Sequence, residues 1–151
     1  MSKRKAILLE ARARCARITV ANGFRTNAGS HLFLNQDPSW SDNDPDEGIA
    51  IIVGFEALGW QGGRVAVTLP INVQAVVRET NLDEPWDRVE DVIFDIKKAM
   101  EPDDDPDRTL GGLAIEIERG PIQTLELEQG SEFTGAQVPY PVLYHEGWGQ
   151  P

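Results

Sequence analysis

The sequence predicts an α+β fold, a mixed and mainly antiparallel sheet with one long strand or hairpin and two helices packed on it. Three observations carry this. The stretch Arg64–Thr80 (RVAVTLPINVQAVVRET) sets Val65, Val67, Leu69, Ile71, Val73, Ala75 and Val77 at every second position. Its intervening residues are mostly small or polar, and period two over this length means a strand with one buried face and one wetter face. Leu82–Met100 then switches to helical spacing. Short alternating runs resume at Leu113–Arg119, around Leu125 and Leu127, and at Val138–His145. With 151 residues and no repeat or linker, the chain is expected to form a single domain, 1–151.

In chain order, Ser2 is a possible N-cap for a helix to about Arg17, with Leu8, Ala11, Cys15 and Ile18 as its apolar stripe. Arg12, Arg14 and Arg17 do not share a face, so much of this helix is expected to be exposed. Ile18–Val20 reads as the start of a strand. Asn22–Ser30, with two Asn and two Gly, reads as a turn, and Leu32–Leu34 as a short strand. The glycine run is no phosphate loop, because it lacks GxxxxGK[ST] and no strong helix follows it. Gln36–Gly48 is an acidic, proline-bearing loop. Trp40 within it is either an anchor that folds back or an aromatic that waits for a partner. The loop's Asp and Asn spacing lacks the glycine and closing glutamate of a calcium loop.

Gly48–Glu56 is expected as a strand, and Ala57–Gly63 as a turn carrying Trp60 into the long strand, with which Gly48–Glu56 pairs antiparallel. That long strand reaches roughly 50 Å at ~3.3 Å per residue. Pro70 donates no ladder hydrogen bond, which implies an edge position or a bulge near its middle. In the second helix, Thr80 or Asp83 caps and Pro85 suits the first turn. Trp86, Val89, Val92, Ile93, Ile96 and Met100 face inward, and the charged residues, Asp95 among them, face outward. Phe94 lies off the apolar face, as a core-edge residue or an interface contact.

Glu101–Asp107 is read as a solvated acidic turn. Leu113, Ile115 and Ile117 alternate inward with Glu116 and Glu118 outward. A break at Gly120-Pro121 then turns the chain into a hairpin with the strand of Leu125 and Leu127. Gln129–Gln137 is a loop. The last strand puts Val138, Tyr140, Val142 and Tyr144 on one face, ahead of a loose tail with Trp148.

Net charge is −11. Residues 1–17 hold six basic residues (Lys3, Arg4, Lys5, Arg12, Arg14, Arg17) against Glu10, a net of +5. The remainder holds eight basic against 24 acidic, a net of −16. Such a body does not attract nucleic acid by phosphate neutralisation. It suits either simple solubility or the wall of a passage in which DNA slides without sticking. The basic helix is suited to dock on an acidic neighbour, and three arginines without interleaved aromatics are a poor DNA-binding signature. No apolar run approaches the ~20 residues that span a bilayer. A single cysteine, Cys15, forms no internal disulfide and reads as a small buried helix residue.

Nucleophilic catalysis needs a base beside Ser or Cys. The two histidines, His31 and His145, lie in no nucleophile motif, and no Cys/His cluster has zinc-ligand spacing. The chain therefore reads as a non-enzyme with no cofactor and no metal. A carboxylate-based hydrolase or small-molecule binder is the competing class.

The element order, together with the phrase Gly23-Phe24-Arg25-Thr26-Asn27-Ala28-Gly29 shortly after the first helix, resembles the tail terminator proteins of long-tailed bacteriophages, the minor tail protein U type. The resemblance covers most of the chain, leaving out the acidic loop 36–48 and the Trp148 tail. It implies a homo-oligomer, a hexameric ring that caps the tail tube, stops its growth and joins it to a head-tail connector or stopper protein. DNA would pass through an acidic lumen without specific binding, and no membrane would be involved. The location implied is the virion tail or neck, after assembly in the host cytoplasm. Interface candidates on this reading are Lys3, Arg4, Lys5, Arg12, Arg14, Arg17, Arg25, Trp40, Trp60 and Phe94. A head-closure or tail tube protein is the neighbouring alternative.

Overall fold

The computed structural model describes residues 2–34, 46–78, 87–125 and 133–147. Trp40, Trp86, Trp148, Leu127, the proposed caps Thr80 and Asp83 and the first-turn Pro85 lie outside them. The spine is a pair of 15-residue strands, β4 (Arg64–Arg78) and β7 (Phe133–Gly147), antiparallel in unbroken register from Arg64↔Gly147 to Arg78↔Phe133. Beside β4 lie β2 (Glu47–Val53) and, further along, β3 (Ala57–Gln61), both antiparallel to it. A three-residue strand, β1 (Leu32–Leu34), pairs parallel with β2. Along the outer side of β7 run β5 (Glu116–Ile117) and β6 (Gln123–Thr124). The sheet is thus mixed and mainly antiparallel, as the period-two runs predict.

Two helices, α1 (Lys3–Ala16) and α2 (Asp87–Met100), cover one face of this sheet. Ser2 caps α1 by accepting from the Lys5 N–H at 3.2 Å. The alternation in β4 decides the core. Val67, Leu69, Ile71, Val73, Ala75 and Val77 are fully buried, and they meet Ile7, Ala11 and Cys15 of α1 and Val89, Val92 and Ile96 of α2 in one cluster. Val138, Tyr140, Val142 and Tyr144 of β7 join from the same side, as the last strand's pattern predicts. The opposite face carries no Asp, Glu, Lys or Arg from Ala66 to Val76 on β4 or from Gly135 to His145 on β7.

Several expectations give way to the structure. The long strand is central and unbulged, not an edge. Pro70 fits because its carbonyl accepts from Gly54 N–H at 2.9 Å, which shows that its missing donor faces away from β7, into the gap where β2 has ended and β3 has not begun. Pro139 and Pro141 likewise turn their carbonyls outward, to Gly120 and Glu118. All three prolines therefore leave the β4–β7 ladder intact.

Ala57–Gln61 is a strand rather than a turn, and the turn is the two-residue Gly62-Gly63, both at positive φ (55° and 81°). This is the backbone that tight hairpins between right-twisted strands require. Val20–Asn22 is a 3₁₀ turn, not the continuation of a strand. Phe133–Gln137, expected as loop, is the first third of β7. The expected hairpin at Gly120-Pro121 does not form, since β5 and β6 both pair antiparallel with β7. Leu113 and Ile115 are exposed while Ala114 and Ile117 are buried, so the alternation there does not hold.

Candidate functional site

The basic residues of the first helix separate into three groups. Lys3 donates from Nζ to the His145 carbonyl at 2.6 Å, and Arg4 Nε pairs with Glu56 Oε1 at 2.9 Å. Both pin the N-terminus of α1 across the end of the β4–β7 spine. Lys5, Arg12 and Arg17 are exposed. Arg14 is buried, contrary to the expectation of an exposed interface residue. Its guanidinium meets Glu10 (3.0 Å), the Met100 carbonyl (3.2 Å) and Asp105 Oδ2 (3.1 Å).

The acidic turn 101–107 is correspondingly less solvated than its composition predicts. Burial of Asp105 works against ionisation. The Thr109 N–H and hydroxyl and the Arg14 guanidinium outweigh it and hold the carboxyl below its ordinary range. Glu101 Oε2 accepts from the Tyr140 hydroxyl (2.9 Å) and faces Arg119 Nε at 3.1 Å. Burial, then the Glu101 carboxylate, pushes the Tyr140 phenol up. Burial likewise raises the Cys15 thiol to about 12, which leaves it inert at neutral pH, the small buried residue expected of it.

Arg25 and Phe94, both interface candidates, are brought together. The guanidinium lies 3.7 Å from the ring centroid and pairs with Asp91 Oδ1 at 3.2 Å. Sequence reasoning missed Asp95, placed outward with the other helix charges and here fully buried. Its carboxylate accepts from the Arg25 N–H (3.0 Å), the Thr26 N–H (2.8 Å) and the Thr26 hydroxyl (2.8 Å). It fastens the Gly23–Gly29 turn to α2. Gly29 closes the same turn against α1, where an added Cβ would collide with the Cys15 carbonyl oxygen.

An open cleft of about 580 Å³ lies between this turn and the segment after α2. Its described lining residues include Arg17, Lys98, Glu101 and Asp103 and no serine, cysteine or histidine. Lys98 Nζ donates to the Gly23 carbonyl at 3.0 Å and sits 4.9 Å from the Phe24 ring centroid. Among the described residues no group of three or more His, Cys, Asp or Glu is placed to hold a metal ion, and no helix is long and apolar enough to cross a membrane.

The surface with unspent apolar area is at β3. Leu58 pairs with Val67 and Trp60 with Val65, so both point to the helix-covered side of the sheet, yet they are 69% and 67% exposed. Phe55, on the link into β3, is fully exposed. Within the described sheet β3 bonds to β4 alone, leaving its other edge open. The sequence signal was present in Leu58 and Trp60 two residues apart, and reading the stretch as a turn hid it. No known protein family matches the chain, and no curated protein sequence matches it.

Proposed function

We propose that the chain is an assembly subunit of a bacteriophage tail, forming a ring of about six copies that caps the tail tube, ends its growth and joins the tail to the head. The observation that carries the reading is the open β3 edge with Phe55, Leu58 and Trp60 in solvent. Among the described residues, two large apolar side chains on an edge strand without a second partner, and a third on the link into it, mark an association surface rather than a soluble monomer's ordinary coat. The sheet with two helices on one face is what the terminator resemblance implies. Of the two carboxylates among the cleft's described lining residues, Glu101 is held by the Tyr140 hydroxyl and Arg119, which favours a structural role over the carboxylate-based hydrolase alternative.

In this reading the exposed carboxylates Asp87 and Glu90 of α2 and Asp103, Asp104 and Asp107 after it contribute to an acidic lumen wall past which DNA slides. Lys5, Arg12 and Arg17 face a neighbouring ring. The location is the virion neck. The test is light scattering over a concentration series with electron microscopy of any large species. A closed ring with a central hole is the expected result. A monomer at every concentration that also leaves purified tail tubes uncapped overturns the reading.

A further inference from the structure

The β3 edge has a counterpart on the other side of the spine. Leu113, Ile115 and Ile122 are 38%, 45% and 38% exposed, and all three lie along the outer side of β7. The two edges stand at the same level. Ala57 of β3 pairs with Thr68, Thr68 with Leu143, and Leu143 with Glu116 of β5, one row across four strands. Three strand spacings of ~4.8 Å set the edges roughly 14 Å apart. With Glu56 paired to Arg4 and Arg119 to Glu101, the remaining exposed charges of the two edges differ in sign. Arg64 is exposed where the β3 hairpin turns, whereas Glu116 and Glu118 are exposed on the β7 side.

Resting on the ring reading, we infer that the subunits join head to tail, with Phe55, Leu58 and Trp60 of one copy seated on Leu113 and Ile115 of the next. The occupant of each edge is thus a second copy of this chain. Two different apolar edges of opposite charge, level with each other on either side of one sheet, form a heterologous interface. Repeating it by rotation closes a ring rather than stopping at a dimer. Pairing β3 with β3 would instead leave Leu113 and Ile115 in water. Lys3, bonded to the His145 carbonyl, caps the outer edge of β7 beyond Leu143.

Two double variants test this, Leu58→Glu with Trp60→Glu and Leu113→Glu with Ile115→Glu. All four side chains are more than a third exposed, so the fold should survive, as circular dichroism will report; serine at the same positions is the milder pair. Each variant alone should run as the 16.7 kDa monomer at concentrations where the wild-type chain forms rings. Mixed one to one, they retain one good edge each and should stop at a heterodimer of twice that mass. Rings from the Leu113/Ile115 variant alone, or a mixture that stays monomeric beside an assembling wild type, overturn the edge assignment and leave the ring reading standing. A wild type that is itself monomeric and does not cap tubes removes both.

Discussion

At the scale of single residues, the positions that matter most were the least legible. Arg14 and Asp105 are 91 residues apart and become partners only because the segment after α2 returns to α1. Nothing local to either announces the pair, and helical spacing alone makes Arg14 one more exposed cation. Asp95 is similar, for its three donors belong to the turn that follows α1, 69 and 70 residues earlier in the chain. A buried carboxylate is tolerated when hydrogen bonds replace its water, and pattern reading cannot see donors from elsewhere in the chain. The Asp105 carboxyl is held below its ordinary pKa in the folded state, so it stabilises the fold where it is ionised in both states. That stability is present above the usual carboxylate value of about 4 and is lost as pH falls through the lower folded value. Asp105→Asn should therefore cost about 2 kcal/mol at pH 7. Urea unfolding of both proteins should show the gap narrowing steadily below pH 4; a gap of constant size would mean that the carboxylate's charge is irrelevant.

At the scale of elements, the long strand was legible because its alternation runs for seven apolar positions and its partner β7 repeats the pattern over Val138–Tyr144. Short elements were not. In Leu113–Ile117 the chain leaves a segment with Arg108, Leu110, Gly111 and Gly112 at positive φ, and that approach decides which residues face the core. Ala114 is turned in and Ile115 out, against hydropathy. Over five residues, alternation predicts a strand but not its phase. The β3–β4 turn carries a cleaner signal in Gly62-Gly63. A Cβ at Gly62 meets nothing within 4 Å, so any cost of substitution there comes from the backbone alone. Gly62→Asn, which accepts positive φ, should change stability by less than about 0.5 kcal/mol, and Gly62→Val should cost roughly 1–2 kcal/mol. Equal urea midpoints for the two variants would show that the turn does not depend on a left-handed residue.

At the scale of the whole molecule, the charge asymmetry read from the sequence survives but changes its working parts. Of the six basic residues in the first 17, Lys3 and Arg4 hold α1 on the sheet and Arg14 is inside it. Lys5, Arg12 and Arg17 are what the helix offers outward. Docking to an acidic partner and folding can therefore be separated along one helix. Arg14→Glu would set a carboxylate against Glu10, Asp105 and the Met100 carbonyl. Breaking a buried pair in this way costs about 3–5 kcal/mol. At ~2–4 °C per kcal/mol for a chain of this size, the thermal midpoint should drop by at least about 6 °C. Arg12→Glu with Arg17→Glu should leave the midpoint within about 4 °C of wild type, since each exposed charge away from such features shifts stability by no more than ~0.5 kcal/mol. If α1 meets an acidic neighbouring ring, that second protein will still form rings yet join few tails to heads, with the defect shrinking at higher salt as the new repulsion is screened. Normal head-tail joining by the Arg12/Arg17 variant would take the docking role away from α1.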